Sequence, residues 1–489
     1  MCRCTVRIKR EDDNVTVQHT YLFPYEKIPQ GSRILIYGAG DVGQDYLQQM
    51  LITGYCEVIA LVDKSYDKYP SMIVPVIAPD MVINQKFDFV VIALKTSVHL
   101  PDIKKNLHNQ GVETEKIIFI GTRNEIGSII LANGNASVLR EGLAYEKAFL
   151  SIALKYGPGI GDAIIKKRLF KEIVKMAPQA CIDIYTPGKA EVIESIYADE
   201  PNLNMVISDG GISYALRQKE YRLSMSIFFL IEINYIDYEM IRKINADFAD
   251  KMKLHKERHL AYGLNSFPAP QNYIHFGRSI FKRWNCYSIY NYTNVFDIRD
   301  MNVHIPLDEK YNKDFKGREL KRYITLNYGN GVANKSNEKS ISKQWPKVYF
   351  EKFINLFKND YSEIEVIQLG DKRTDRLMGV DRAFLGENLE LVKYILKNAL
   401  FHLDIEGGLM HLATQLGTKC VVIYGPTQLE LFGYSQNINI VSTGCKGCYP
   451  LYPEYYKCAR EYEKPECMWS IKPERVFKEV DDYLKELEK

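Results

Sequence analysis

Three times along this chain an apolar strand runs into a glycine-bearing turn and on into a helix, which confines most of it to parallel α/β units. The first instance is Ser32–Tyr37 entering Gly38-Ala-Gly40-Asp41-Val-Gly43, with an amphipathic helix from Asp41 to about Thr53. The second is Ser151–Tyr156 entering Gly157-Pro158-Gly159-Ile160-Gly161-Asp162, with a helix over Ala163–Met176. The third is Phe401–Ile405 entering Glu406-Gly407-Gly408-Leu409-Met410-His411 and another helix. At 489 residues one core cannot serve the whole chain, so about three domains are expected. The turns divide it into an extension at 1–28, a Rossmann-like domain at 29–140, a lobe at 141–320 and a second lobe at 321–489. In the extension the alternating run Cys4–Lys9 suits one or two short edge strands.

Composition narrows what such a chain does. Hydrophobic residues at 46% and charged residues at 26% are the balance of a globular protein in water. A net charge of +3 leaves no dense basic face for nucleic acid. The longest apolar stretch, Ser224–Tyr238, is broken by Glu232 and too short for a bilayer, so no membrane span is expected. Peripheral membrane association and oligomerisation stay open. The N-terminal Met-Cys-Arg-Cys turns charged at once, unlike a signal peptide, and the expected compartment is the cytoplasm.

The first turn has the chemistry of a dinucleotide site. Gly38 permits the tight turn, Gly40 lets a pyrophosphate approach the backbone, and Gly43 lets helix pack on strand. Asp63 ends the next strand, Glu57–Asp63, where an acid grips a ribose hydroxyl. Strands at Phe87–Ala93 and Lys116–Gly121 complete the sheet. NAD or another nucleotide is the ligand this pattern takes; the plain alternative is that the glycines serve packing alone. No partner for hydride transfer is visible nearby, which leaves an oxidoreductase without its machinery. Over Pro29–Glu125 the segment resembles the small nucleotide-binding domains attached to sugar-modifying enzymes.

In the second turn an acid takes the last position. Asp162 at the helix start either caps the helix or faces a cleft, where a carboxylate can take a proton from an attacking hydroxyl. The turn by itself favours the cap. From Asp209 to about Lys321 the pattern is irregular, with helical patches rich in Tyr, Phe, Arg and Lys, and reads as the half of a domain that receives an acceptor. In the third turn the free N–H groups at the helix start suit a diphosphate, and Lys343 can add a cation.

Four features stand in order: Gly159-Ile-Gly161-Asp162, Lys343-Gln-Trp345-Pro346, Glu406-Gly407-Gly408-Leu409-Met-His411 and Gly425-Pro426-Thr427. From about Ser151 onward the chain thereby resembles glycosyltransferase family 9, the heptosyltransferases of bacterial surface glycans. The resemblance implies a GT-B fold of two Rossmann-like lobes, no catalytic metal, and inversion at the anomeric carbon. It implies an ADP-linked heptose or similar nucleotide-sugar donor and a glycan or protein acceptor. By resemblance Asp162 becomes the general base, and Gly159 and Gly161 line its side of the donor site. Lys343 contacts the donor phosphates, Gly407, Gly408 and Leu409 cradle them, and His411 lines the same site. Glu406 stands where the family usually has Asp. The other reading of such lobes is a non-catalytic nucleotide sensor or scaffold.

Of ten cysteines, Cys445, Cys448, Cys458 and Cys467 crowd into one stretch, the pattern of a tetrahedral zinc or iron site. The arrangement is similar to the cysteine finger of autotransporter heptosyltransferases, an iron-carrying subgroup, and a structural role is implied. The closing helix from Pro473 presents Val476, Phe477, Val480, Tyr483 and Leu484 on one face, to be packed against a lobe.

Overall fold

The computed structural model describes residues 8–11, 14–69, 72–121, 124–132, 150–208, 211–264, 270–329, 343–445, 447–449 and 458–487. Three sheets are built on one plan. In the front domain the strands run in the order Val76–Ile77, Glu57–Val62, Arg33–Tyr37, Phe89–Ile92, Ile117–Ile118, all parallel. The first lobe has Leu203–Ile207, Ala180–Tyr185, Leu150–Lys155, Leu223–Ile227 and, antiparallel at the edge, Ile231–Ile236. The second lobe has Arg382–Leu385, Glu365–Gly370, Tyr323–Asn327, His402–Ile405, Cys420–Tyr424 and Ile438–Val441, all parallel. In every sheet the strand that comes first in sequence lies inside, with later strands on both sides. The chain reverses its winding beside that strand, and a crevice opens beyond its C-terminal end. The first two glycine turns stand at such ends, and the third follows the neighbouring strand, His402–Ile405.

The rear half is therefore two Rossmann-like lobes in the GT-B manner, with a third Rossmann-like domain in front. The strands are buried because helices cover both faces, which is why they read as continuous Val, Ile and Leu runs. The helix Ile160–Met176 begins earlier than its sequence pattern, at the turn itself. The closing helix Pro473–Leu487 buries Val476, Val480 and Leu484 and packs on Lys347–Asp360 of the second lobe.

Two expectations need correction. Asn124–Ala132, given no element of its own within 29–140, is a strand that pairs antiparallel with Asn14–Tyr21, which also pairs with Ile8–Glu11. The extension and Asn124–Ala132 thus form one three-stranded sheet. The stretch read as irregular from Asp209 contains the hairpin Leu223–Ile227 and Ile231–Ile236, which extends the first lobe's sheet. Its turn, Phe228-Phe229-Leu230, has none of the Gly, Pro or Asn that mark hairpins in sequence.

The front domain is anchored twice. Residues 20–23 are tied to the first helix, Asp41–Thr53, by its side chains: Asp45 accepts from the Thr20 and Tyr21 N–H groups, and Gln49 bonds Phe23 and Tyr21. Leu22, Phe23, Tyr25 and Ile28 then share a core cluster with Ile212 of the first lobe's helix Gly211–Arg217.

Candidate functional site

The two rear lobes meet turn to turn. A Cβ on Gly161 would lie 2.9 Å from the His411 ring, and one on Gly408 would lie 3.0 Å from Ile160 Cβ and 3.3 Å from the Gly161 nitrogen. The helices Ile160–Met176 and Gly408–Gln415 are in contact along this line. Glycine is needed because any side chain would wedge the lobes apart. Behind the turns the Cys286 N–H donates to the Leu431 carbonyl at 2.8 Å, and the Tyr287 and Tyr434 hydroxyls meet at 2.7 Å.

Asp162 sits in the first turn of its helix, whose N-cap is Gly159 at φ +121° with no side-chain cap bond. The cap reading is therefore not what the structure shows. The Lys166 ammonium, almost wholly buried and one helical turn on, holds Asp162 Oδ1 at 3.0 Å, while the carboxylate itself is 44% exposed. Phe228 lies over Gly157 and against Lys166, walling that side of the turn.

Across the junction Glu406 is buried and makes an ion pair with Lys343 at 2.6 Å, with the His411 ring at 3.5 Å on its other oxygen. Burial pushes the Glu406 carboxyl up, but the Lys343 ammonium and His411 outweigh it and hold it down at about 2. His411 Nδ1 bonds the Tyr434 hydroxyl at 2.8 Å. Lys343 is placed by its own motif: the Trp345 indole, fully buried, donates to the Ile471 carbonyl at 2.9 Å and pins the segment to the lobe. Beneath the turn Asp404 accepts from the Asn327 amide at 3.0 Å and the Ile405 N–H at 2.8 Å. Gly407 caps the helix Gly408–Gln415 without a side-chain bond, leaving the helix start to an outside anion. Nearby the Thr427 hydroxyl is buried without a hydrogen-bond partner among the described residues, a cost of about 1–3 kcal/mol that a bound ligand would remove.

Cys286 links the two sides. Burial raises its thiol first, and both Glu406 and Asp162 add to the rise. The structure thus brings Asp162, Gly159, Gly161, Gly408, Glu406, Lys343 and His411 into one junction. It adds Lys166, Phe228, Tyr434, Tyr287 and Cys286, which sequence reasoning did not single out. Only Lys166 left a signal, standing four residues after the acid on the same helical face.

The front turn is closely packed at two of its three glycines. A Cβ on Gly43 would lie 1.8 Å from the Gly38 carbonyl oxygen, and one on Gly38 2.5 Å from that of Ala93, whereas the space at Gly40 is open. Asp63 accepts from the Ala39 and Ser65 N–H groups, each at 2.9 Å, so both its oxygens serve the backbone. Asp41 opens the helix and is ion-paired with Lys95.

The four cysteines share one neighbourhood. Cys467 is pushed up to about 12 by burial and then by Cys445, Cys448 and Cys458. None of the four is joined in a disulfide, and among the described residues no three His, Cys, Asp or Glu side chains form a group that could hold a metal ion. The donor set has the right chemistry for a thiophilic ion, but its geometry here is not that of a coordination site. Among the described residues no helix is long and apolar enough to cross a membrane.

No curated protein matches the chain. Among solved structures, the Escherichia coli ADP-heptose LPS heptosyltransferase II is similar at 14% identity and TM-score 0.45, over 69% of this chain and 100% of that one. The iron-containing dodecameric glycosyltransferase TibC of enterotoxigenic E. coli H10407 is similar at 13% identity and TM-score 0.46, over 75% and 84%. A family 9 glycosyltransferase of Veillonella parvula DSM 2008 is similar at 15% identity and TM-score 0.42, over 71% and 100%. Residues 30–118 match the family model "C2185-like, N-terminal", and residues 308–454 match that of glycosyltransferase family 9 (heptosyltransferase). The chain therefore carries a glycosyltransferase family 9 (heptosyltransferase) domain, behind a C2185-like N-terminal domain.

Proposed function

We propose that this protein transfers a heptose or closely related sugar from an ADP-linked donor to a hydroxyl of a surface glycan or protein, inverting the anomeric carbon. The observation that carries the reading is the junction itself, which sets Asp162 of one lobe against the Lys343–Glu406–His411 group and open helix start of the other. The acceptor oxygen forms a bond to the anomeric carbon as the bond to the diphosphate breaks. Asp162, oriented by Lys166, takes the hydroxyl proton, and the nucleoside diphosphate leaves with the electron pair. Charge growing on the diphosphate is met by the N-terminus of the helix Gly408–Gln415, with Leu409 in its first turn, and by Lys343. Glu406 tempers that lysine and fixes its place.

The test is release of ADP from ADP-heptose with transfer to an acceptor followed by mass spectrometry. Asp162→Asn is expected to lower kcat about 10²–10⁴-fold while ADP still binds. Transfer at the normal rate by that variant would remove the base assignment. Cys445, Cys448, Cys458 and Cys467 enter the proposal as a structural zinc or iron site, supported by their proximity and donor chemistry and taking no part in transfer. Metal analysis after anaerobic, reducing purification tests it; protein free of stoichiometric metal refutes it.

A further inference from the structure

Between the front domain and the first lobe lies a cavity of about 250 Å³ that the donor chemistry does not use. Its floor is one face of the lobe's sheet. Lys155, Ser226 and Glu232 are register partners on three adjacent strands, so their side chains leave the same face, and Asn234 follows two residues after Glu232. Gln218 closes one side, and the front domain supplies Glu26 and Lys27.

The lining selects a kind of ligand. Two carboxylates stand against two ammonium groups, so no net positive field gathers phosphates or nucleotides. Charges and amides this dense would be stripped of water by an apolar ligand without return. Asn234 Oδ1 accepts from both the Tyr214 and Ser226 hydroxyls, which turns its N–H donors to other partners. The volume lies just below the range that holds drug-sized ligands, about one pyranose ring. A ring of neutral hydroxyls, each donating and accepting, suits the carboxylates, ammonium groups and amides of these walls, and the ring's C–H face suits the apolar Leu22, Ile120 and Ala215 beside them. We propose that this interdomain cavity is a binding site for a neutral saccharide unit, one pyranose ring in size. Lys155 ends the strand that enters the Asp162 turn, so an occupant bridges the front domain to the strand that leads into that turn.

The proposal uses no residue of the Asp162–Glu406 junction and stands apart from the donor reading. Saturation-transfer NMR on the full chain, with D-mannose, D-glucose, D-galactose and D-glycero-D-manno-heptose as probes, tests it. At least one sugar is expected to bind saturably, equally in the wild type and Asp162→Asn. Glu232→Gln and Glu26→Gln, checked for folding by thermal melting, are expected to bind it about tenfold more weakly. Saturable binding of none of the four sugars, unchanged affinity in both folded variants, or displacement by inorganic phosphate would each overturn the proposal. ADP binding is measured in the same samples; its loss in the wild type would count against the donor reading alone.

Discussion

Glu406 carries the balance of charge at the junction, and its replacement by glutamine removes the carboxylate that meets Lys343 at 2.6 Å. The free acid's usual value of 4.5 falls to about 2 in the fold, so the carboxylate contributes stability that is fully present above pH 4.5. It is lost as the pH falls from there through 2. Glu406→Gln is therefore expected to cost about 3 kcal/mol at pH 7, and the gap to wild type should close as denaturant melts are repeated toward pH 2. A constant gap would mean the ion pair contributes nothing. The identity of this residue was legible in sequence, but its partner was not. The 62 positions between Lys343 and Glu406 carry no pattern that pairs them.

The glycine turns belong to the scale of elements. Gly161→Ala places a methyl 2.9 Å from the His411 ring, and Gly408→Ala places one 3.3 Å from the Gly161 backbone nitrogen. Each is expected to part the lobes and lower kcat about tenfold or more with little change in thermal stability. Steady-state kinetics beside small-angle scattering reads both effects; a normal rate in Gly408→Ala would show that the lobes do not work in contact. Gly43→Ala differs, since its methyl would sit 1.8 Å from a carbonyl oxygen inside the front domain. That variant should unfold the front domain early while the rear lobes melt as before. Helices and central strands were legible because their apolar periodicity is local. The strand Asn124–Ala132 was not, because its partner lies more than a hundred residues away. Where a pairing is that distant, no local pattern marks it.

At the scale of the molecule, three histidines lie in one aromatic cluster of the first lobe. Burial holds His255 and His275 down to about 4, below their usual 6.5, and lowers His259 as well. They are neutral in the fold and protonate more readily when the chain unfolds. Their contribution to stability is complete above pH 6.5 and is lost as the pH falls from 6.5 through 4. Chemical denaturation is expected to show a loss of about 3 kcal/mol for His255 alone across that window. His255→Gln, less stable at pH 7, should lose less on acidification; an equal slope in both proteins would discount the histidine. The front domain's docking rests on Ile212, and Ile212→Asp is expected to release it as an independently moving unit, visible as an increased radius of gyration. The sequence alone determined the three strand–turn–helix units, their order, and which acids and glycines stand at strand ends, because those depend on periodicity and turn chemistry within a few residues. Tertiary structure decided the rest: that the Asp162 turn meets the Glu406 turn across a glycine-to-glycine contact, that Lys343 is paired with Glu406, and that Asp63 bonds the backbone of its own turn. Those depend on which surfaces distant segments bury against one another, and burial is a property of the packed whole.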